Sequence, residues 1–291
     1  MVTKINIKDL RVARDLISRL KPNWSSEDIS DFMYLPTGYS NDNYRFNYNE
    51  EFYVLRRPKK KEKRQLWERE YLFYMDSKLV NKPELIAMDI NTGVMITKWI
   101  SGDLLGDIGA NEDSLINYVS QLHFQLGSVS HFTRDNYNPV EVSKKFLGPY
   151  SSAINPDSRR LMNDLAWNPK NFVLTHNDLN PWNIIVSTTR ADRWTTLDWG
   201  VVAMNDPLFD LIAVTQGLSK NDKELDLEKT KQLSDKLLRT DLEWSRIILV
   251  LSAFWLREYA WAYCMWKSGN ERQEIKDQID ISSAKLKQIR G

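Results

Sequence analysis

The residues with the clearest chemical potential lie between Thr175 and Asn183, in the sequence Thr-His-Asn-Asp-Leu-Asn-Pro-Trp-Asn. Asp178 in this stretch can orient an attacking hydroxyl group and accept its proton. Asn183, and Asp198 in the later sequence Leu-Asp-Trp-Gly, carry the oxygen ligands that magnesium prefers when it bridges nucleotide phosphates. This combination predicts phosphoryl transfer.

Short apolar segments flank these polar residues and predict how they are positioned. Segments 172–174 and 184–186 indicate two strands around a polar loop, and 194–197 indicates a third strand that ends at Asp198. The three polar groups are therefore expected to converge on one point. Turn chemistry alone also favours Asp, Asn and Pro in a loop. The pattern His-x-Asp-x-x-x-x-Asn, followed by apolar-Asp-Trp-Gly, is more specific than a turn requires.

The N-terminal part of the chain predicts an antiparallel sheet, because segments 32–35, 44–48 and 52–55 are apolar or alternating and are separated by polar turns. Ser40 and Asn41 lie in the first connecting loop, whose backbone amides could cover a triphosphate. A loop of this kind is also an ordinary hairpin connection. Arg56 ends the third strand, where a cation could grip nucleotide phosphates.

A helix is predicted after the third strand, and it offers two carboxylates as partners for Arg56. Glu68 and Glu70 both lie in its first turns. We favour Glu68, because Leu72 and Met75 follow it in the phase of an inner face. The alternative is that both glutamates are exposed and simply stabilise the helix N-terminus.

The apolar segment 93–100 ends at Ser-Gly-Asp, and we place a lobe boundary there. Residues 1–98 are predicted to form a nucleotide-binding lobe, and residues 99–291 a catalytic and acceptor-binding lobe. The backbone from Lys98 to Ile100 would then be a hinge that hydrogen-bonds the edge of an adenine. Asp210, at the start of a later apolar helix, is expected to hold the loop around Asp178 through backbone amides.

Aromatic residues are concentrated in the helix that follows residue 243, and the whole chain contains 11 tryptophans. Core packing explains most of these rings. Aromatic faces with a nearby carboxylate also hold delocalised cations. Trp255, Glu258, Trp261 and Trp266 are therefore candidates for an acceptor-binding wall.

The bulk composition describes an ordinary globular protein of 291 residues, with 42% hydrophobic and 27% charged residues. The net charge of +1 gives no general attraction to nucleic acid, so we interpret the basic run 58–64 as a solvated connector. One cysteine, Cys264, allows no internal disulfide. The opening residues lack a signal core. The apolar run 247–256, which is bounded by Arg246 and Arg257, is too short for a bilayer, and we interpret it as a buried helix. We expect a cytoplasmic protein without membrane insertion, and its oligomeric state stays open.

The motifs together resemble the choline kinase and aminoglycoside phosphotransferase superfamily, nearest to bacterial LicA-type choline kinases and thiamine kinases. The resemblance rests on segments 38–44, 53–56, 93–100, 176–183, 197–200 and 205–210. It implies an α+β, protein-kinase-like bilobal fold, with an N-terminal antiparallel sheet lobe containing one main helix and a larger, mainly helical C-terminal lobe. It also implies ATP with Mg²⁺ as the phosphoryl donor.

By position, the resemblance makes Asp178 the catalytic base, Asn183 and Asp198 the metal ligands, and Arg56 with Glu68 the phosphate-positioning pair. Arg56 stands where many kinases have lysine, and arginine also binds phosphate, in bidentate fashion. Gly200 stands where choline kinases commonly have an acidic residue, which is a departure from that pattern.

The predicted function is transfer of the γ-phosphate of ATP to the hydroxyl of a small cationic alcohol, with choline first. Thiamine is an alternative, because the segment 261–269 is similar to the end of thiamine kinases. Aminoglycosides are a further alternative, although they would favour a more acidic cleft. A non-catalytic, nucleotide-binding pseudokinase is a different class, and the joint presence of Asp178, Asn183 and Asp198 argues against it. A serine hydrolase is excluded, since the chain has no Gly-x-Ser-x-Gly sequence.

Overall fold

The structure is a computed structural model that describes residues 7–36, 38–129, 132, 135–150, 152, 154, 156–169, 171–188, 193–219 and 224–290. The chain divides into two compact units. The first contains Met1–Asp103 and Ile185–Gly200, and the second contains Leu104–Ile184 and Val201–Gly291. The predicted functional division at residues 98 and 99 stays a prediction.

The elements alternate between strand and helix early in the chain and become mainly helical later. Up to residue 104 they are α1 (Ile7–Leu20), β1 (Ile29–Leu35), β2 (Asn41–Tyr48), β3 (Glu51–Pro58), α2 (Arg64–Asp76), β4 (Leu85–Asp89), β5 (Val94–Lys98) and β6 (Asp103–Leu104). From there they are α3 (Leu105–Ile108), α4 (Glu112–Leu126), α5 (Pro139–Leu147), α6 (Pro156–Asp164), β7 (Val173–Thr175), β8 (Ile184–Val186), β9 (Trp194–Thr196), β10 (Ala203–Asn205), α7 (Leu208–Leu218), α8 (Leu227–Leu238), α9 (Trp244–Lys267) and α10 (Gln273–Arg290). Single 3-10 turns lie at Gly148–Tyr150 and Pro181–Asn183.

The first unit is built on a five-stranded antiparallel sheet with strand order β1-β2-β3-β5-β4. One face of this sheet packs against α1, whose Ala13 and Ile17 are one helical turn apart and buried with Phe46 and Leu55. Because successive strand side chains point to opposite faces, Arg56, which follows Leu55, lies on the face away from α1. The predicted antiparallel N-terminal sheet is confirmed.

The second unit is dominated by α9, a helix of 24 residues that packs against α5, α7 and α10. By length and composition α9 could cross a membrane, but 72% of its most apolar 18-residue window is buried inside the structure. A core helix of a globular protein has the same property. The prediction of a buried helix at 247–256 is confirmed, and the helix extends well beyond that run on both sides.

The strands around the predicted catalytic loop are short. β7 pairs with β10 in an antiparallel register that places Thr175 opposite Ala203. β8 follows the loop and lies between β6 and β9 in a three-stranded sheet. The three strands predicted at 172–174, 184–186 and 194–197 are therefore present, as β7, β8 and β9. Two of the predicted active groups, Asp178 and Asn183, lie in the loop between β7 and β8.

Candidate active site

Arg56 forms a forked ion pair with Glu70 in the first unit. Its Nη1 and Nη2 atoms donate to the two carboxylate oxygens of Glu70 at 2.7 and 2.5 Å. The side chain of Glu70 is only 1% exposed and that of Arg56 is 12% exposed. Burial alone would lower the pKa of Arg56, but the adjacent carboxylate of Glu70 raises it above its usual value. Arg56 is therefore a fixed, permanent cation.

The partner of Arg56 is a correction to the sequence prediction, which favoured Glu68. Glu68 is exposed, whereas α2 buries Glu70 and Phe73, which are three positions apart on one helix face. Leu72 and Met75, which set the predicted phase, are 44% and 56% exposed. The prediction was wrong because Leu72 and Met75, from which we inferred the inner face of α2, lie on its exposed face.

Asp198 lies close to this pair, just after β9. Its Oδ1 is 3.6 Å from Nη1 of Arg56, and its side chain is 45% exposed. The backbone at Asp198 has a φ of 60°, in the left-handed region that aspartate tolerates better than most residues. The first unit therefore presents an accessible carboxylate beside a fixed cation.

Trp199 anchors the backbone immediately after Asp198. Its ring is fully buried and stacks on Phe73 at a centroid distance of 4.4 Å. Its indole Nε1 donates to the carbonyl of Thr196 at 3.1 Å. Tryptophan thus combines an apolar anchor with a hydrogen bond to the preceding strand, and both contacts hold the turn that carries Asp198.

The predicted phosphate loop, residues 37–43, begins between β1 and β2, and its last three residues, 41–43, lie in β2. Thr37 is outside the described residues. Lys59 ties this loop to the end of β3: its backbone amide donates to the carbonyl of Ser40 at 2.9 Å and its Nζ to that of Gly38 at 2.7 Å. A Cβ atom at Gly38 would lie 2.3 Å from the carbonyl oxygen of Asn41, so this position requires glycine. The role of Ser40 and Asn41 in phosphate binding stays a prediction.

The predicted hinge uses two of its three amides within the protein. The amide of Lys98 donates to the carbonyl of Glu84, and that of Trp99 to the carbonyl of Phe52, both at 2.9 Å. The side chain of Lys98 pairs with Glu51 at 2.7 Å on the surface. Among the described residues, the amide of Ile100 donates to no backbone carbonyl. Ile100 is the hinge residue best suited to an adenine edge.

The catalytic loop of the second unit is held by Asp210, as predicted. The backbone amides of His176 and Asn177 donate to its two carboxylate oxygens, each at 2.9 Å. Asp210 is fully buried. His123 donates from Nε2 to the same carboxylate at 3.0 Å, since an ionised carboxylate only accepts.

The pKa of Asp210 reports how well these contacts compensate its burial. Burial alone would raise that pKa, but the hydrogen bond and charge of His123, the charge of His176 and the amide of His176 lower it below its usual value. The carboxylate therefore stays ionised in the protein interior. His123, which lies in α4 beside the buried Leu122, thus has a structural role.

Asn177 provides a second anchor that the sequence did not reveal. Its φ is 66°, a left-handed conformation that asparagine adopts more readily than most residues. Its Oδ1 accepts from Thr175 Oγ1 at 3.0 Å and from Asn205 Nδ2 at 2.8 Å, while its Nδ2 donates to the carbonyls of Val201 and Ala203. These bonds fix the residue before Asp178 to β7 and to the segment that leads into β10.

Asn183 lies directly against Asp178. Its Nδ2 donates to the carbonyl oxygen of Asp178 at 2.9 Å and lies 3.4 Å from Asp178 Oδ2. The 3-10 turn that delivers Asn183 is capped by Asn180, whose Oδ1 accepts from the amide of Trp182 at 3.0 Å. With its Nδ2 engaged in this way, Asn183 has its Oδ1 left as the atom that can reach a cation.

Arg257 contacts the predicted catalytic base and was missed by sequence reasoning. Its Nη1 donates to Oδ1 of Asp178 at 2.9 Å, and its Nη2 lies 2.9 Å from Oε1 of Glu258. Asp178 keeps 32% of its side chain exposed. The sequence treated Arg257 only as the charged end of an apolar run. The sequence signal that could have identified Arg257 was its permanent charge within a helix that is apolar on nearly all sides.

The four acceptor candidates on α9 have different environments. Trp255 is 1% exposed, and Lys285 covers its ring at 4.8 Å, so the structure does not support it as an acceptor contact. Trp261 is half-buried, and Trp266 is 36% exposed with Lys267 over its ring at 4.3 Å. Of the three tryptophans predicted as acceptor contacts, two are therefore accessible, Trp261 and Trp266.

Glu258 is engaged on both carboxylate oxygens. Besides the contact with Arg257, its Oε2 accepts from Nε2 of Gln278 at 3.2 Å. Burial raises the pKa of Glu258 above its usual value, and the charge of Asp178 raises it further, while Arg257 offsets part of the effect. Its charge reaches the surroundings of Asp178 mainly through Arg257.

Comparison with known sequences gives a family match over most of the chain. The profile of the phosphotransferase enzyme family matches residues 31–241. Protein LicA of Haemophilus influenzae is 25% identical over 173 residues, which are 55% of this chain and 50% of LicA. The chain thus spans about half the length of this curated relative.

Solved structures share the fold at low sequence identity. A choline/ethanolamine kinase family protein from Mesorhizobium loti is 18% identical with a TM-score of 0.71, covering 96% of this chain and 94% of that protein. Choline kinase LicA from Streptococcus pneumoniae is also 18% identical, with a TM-score of 0.69 and coverage of 97% and 99%. These similarities establish a kinase-like fold of the choline kinase and aminoglycoside phosphotransferase type. Since the family profile matches well over half of the residues, this chain belongs to the phosphotransferase enzyme family.

Proposed function

We propose that the protein is an ATP- and Mg²⁺-dependent kinase that transfers the γ-phosphate to the hydroxyl of a small cationic alcohol, with choline as the first candidate. The observation that carries this proposal is the partly exposed carboxylate of Asp178 on a rigid loop, with the side-chain amide of Asn183 3.4 Å from its Oδ2. Such an acid can orient a hydroxyl group for attack and accept its proton. The similarity to proteins described as choline kinases supports choline.

Adenine nucleotides as donors are supported by two of the structural neighbours. A LicA structure contains AMP, and an aminoglycoside phosphotransferase structure contains AMP-PNP with hygromycin B. In this chain the amide of Ile100 would bind the adenine edge, and Ser40 and Asn41 would contact the phosphates. Arg56, fixed by Glu70, would donate to phosphate oxygens through the N–H groups that its fork with Glu70 leaves over.

The residues proposed for magnesium fit that ion chemically. Asp198 offers a carboxylate and Asn183 an amide oxygen, and both are hard oxygen ligands. Among the described residues there is no group of three or more His, Cys, Asp and Glu side chains that could hold a metal. Magnesium usually takes one or two carboxylates together with substrate phosphates. When bound, the ion would neutralise charge on the phosphate oxygens.

The chain's own residues would contribute mainly by positioning. The transferred phosphoryl group passes through a loose transition state, so alignment of the attacking oxygen contributes more than its full deprotonation. Asp178 would accept a hydrogen bond from the acceptor hydroxyl, set it in line and take the proton as the new P–O bond forms. The loop anchors Asp210 and Asn177 would keep this carboxylate in place.

A cationic acceptor is supported by the local charge around Asp178. Asp178 and Glu258 are two acids, and Arg257 between them is one cation, so the group carries one net negative charge when both acids are ionised. Trp261 and Trp266 would supply aromatic faces for a quaternary ammonium group. Glu258, which contacts Arg257, would contribute to the negative charge of this group.

The experiment that tests this function is a substrate panel. Purified protein is incubated with Mg²⁺ and ATP and with choline, thiamine or hygromycin B in turn, and phosphorylated product is detected by mass spectrometry. We expect phosphocholine from the wild type and a loss of about 100-fold or more in Asp178→Asn. If no acceptor is phosphorylated, or if Asp178→Asn is as active as the wild type, the proposed function is wrong.

A further inference from the structure

Arg257 makes contacts to which the proposed reaction assigns no step. Its guanidinium divides between two carboxylates, with Nη1 on Asp178 and Nη2 on Glu258, each at 2.9 Å. The residue is 9% exposed. A buried arginine bound directly to a reactive acid influences where that acid points.

The contact with Arg257 makes the two oxygens of Asp178 unequal. Oδ1 accepts a short, charge-assisted hydrogen bond from the guanidinium. Within the described part of the chain, Oδ2 accepts only from the side-chain amide of Asn183, at the longer distance of 3.4 Å. Oδ2 is therefore the oxygen with capacity for a further hydrogen bond from a ligand.

The guanidinium itself is held rigidly. Its Cζ atom lies 5.8 Å from the ring centre of Phe209 and 5.7 Å from that of Phe254. Gln278 on α10 holds Glu258, the other carboxylate bound to the guanidinium. Burial would lower the pKa of Arg257, but Glu258, Tyr137 and Asp178 raise it above its usual value. Arg257 is thus a fixed cation with little freedom to move away from Asp178.

We propose that Arg257 is a positioning residue that holds Oδ1 of Asp178 and so makes Oδ2 the oxygen that receives the acceptor proton. In the step, the acceptor oxygen bonds to the γ-phosphorus, the bond from that phosphorus to the β–γ bridging oxygen breaks, and ADP leaves with the electron pair. The hydroxyl proton moves to Oδ2 of Asp178. This inference rests on the proposed function for the presence of an acceptor hydroxyl.

Two variants of Arg257 separate geometry from charge. Arg257→Met removes the fork while keeping much of the side chain's bulk, and we expect kcat to fall about 100-fold, the effect of a misplaced reacting group. Arg257→Lys keeps a charge but not the planar fork, and we expect a smaller loss of about 10-fold. In both variants the KM for ATP should change by less than about threefold, because the lost contact acts on the acceptor side.

Arg246→Met is the matched control. Arg246 lies on the same helix, is 19% exposed at its side chain and binds Asp206 with two hydrogen bonds of 3.0 Å. Its removal breaks an ion pair of the same kind without touching Asp178. We expect a lower melting temperature in both Met variants, but a large loss of kcat only in the Arg257 variant.

Two further measurements distinguish positioning from a purely structural role. In Arg257→Ala, added guanidinium at millimolar concentration should restore at least about 10-fold of the lost kcat, because it can occupy the vacated site. In Arg257→Met, the yield of phosphorylated acceptor per ADP should fall, since a poorly aligned acceptor competes less well with water. A structural defect alone would lower the amounts of ADP and of phosphorylated acceptor by the same factor.

The inference is overturned if Arg257→Met and Arg246→Met lose the same fraction of kcat, or if guanidinium rescues neither rate nor yield. A crystal structure of Arg257→Met gives a test that needs no turnover: we expect the Asp178 carboxylate to rotate, and an unchanged carboxylate would reject the positioning role. A wild-type protein that phosphorylates no acceptor would instead reject the proposed function, so the two failures can be told apart.

Discussion

Each unit contains an arginine between two carboxylates, and the two arginines hold their partners differently. Arg56 directs both of its terminal nitrogens to Glu70 and stands 3.6 Å from Asp198. Arg257 gives one nitrogen to Asp178 and the other to Glu258. In each group the more exposed acid is the one to which we assign chemistry.

The difference indicates what each arginine does. A forked pair with a buried carboxylate fixes the arginine itself, so Arg56 is suited to contact a ligand directly. A divided guanidinium fixes the two acids on either side of it, so Arg257 acts through Asp178. The predictions below test this distinction, starting from the largest expected effect.

Removing the exposed acid of the first unit should have the largest effect. We expect Asp198→Asn to lower kcat about 1000-fold, the upper range for loss of one preorganised electrostatic group. Its side chain is 45% exposed, so the melting temperature should hardly change. Initial rates across a Mg²⁺ titration measure the effect, and the half-saturating Mg²⁺ concentration should rise. An unchanged Mg²⁺ dependence would contradict the metal role of Asp198.

Replacing the glutamate partner of each arginine should distinguish the roles of Arg56 and Arg257 most clearly. Glu70→Gln leaves Arg56 without its buried counterion, and we expect a loss of about 3 kcal/mol in the free energy of unfolding, with a raised KM for ATP. Glu258→Gln should cost less, about 1 kcal/mol, because Arg257 keeps Asp178 as a counterion and the new amide oxygen can still accept a hydrogen bond from it. Urea unfolding curves and ATP kinetics give both values. Equal losses in the two variants would show that the two pairs are equivalent.

The anchor of the catalytic loop should show a characteristic pH dependence. We expect Asp210→Asn to cost about 2 kcal/mol near neutral pH, because its oxygens bind a histidine and two amides. The folded-state pKa of Asp210 lies below its usual value, so this stabilisation is present above the unfolded-state pKa and is lost as pH falls through the folded-state pKa. Unfolding curves of wild type and variant should therefore converge in acid. A gap that widens in acid would contradict the direction of the shift.

The anchor of the Asp198 turn should show the smallest effect. Trp199→Phe keeps a ring that can stack on Phe73 but removes the hydrogen bond to Thr196. We expect a loss of about 1 kcal/mol in stability and a modest loss of kcat. Thermal unfolding and kinetics measure both. A loss of activity as large as that of Asp198→Asn would mean that the indole has a direct role.

The sequence was sufficient where the relevant contacts are local. The strand–loop–strand arrangement around Asp178 follows from apolar segments a few residues long, and the position of Asp198 follows from the strand before it. Asp210 was predicted because an acid at the start of an apolar helix, beyond a polar loop, has backbone amides as natural partners. These features depend on short spacings that a pattern can show.

The sequence was insufficient where helical faces or distant pairs decide the outcome. The apolar pattern of α2 selected Glu68, because residues such as Leu72 and Met75 are apolar yet exposed. Trp255 could not be separated from Trp266, since α9 is apolar on nearly all sides and its rings alone do not show which face is interior. Arg257 lies 79 residues from Asp178, and no local pattern encodes a pair at that distance.

Helix α9 carries both of its inward-bound arginines on the same side. Arg246 and Arg257 are separated by about three helical turns, so they share one face and stand roughly 16 Å apart along the axis. The first holds Asp206 at the start of α7, and the second holds Asp178. The spacing of the two arginines along α9 therefore matches the spacing of the two loops that carry Asp206 and Asp178. Inserting one residue between its two arginines would turn one of them by about 100° and detach its loop, even though the inserted residue touched neither acid.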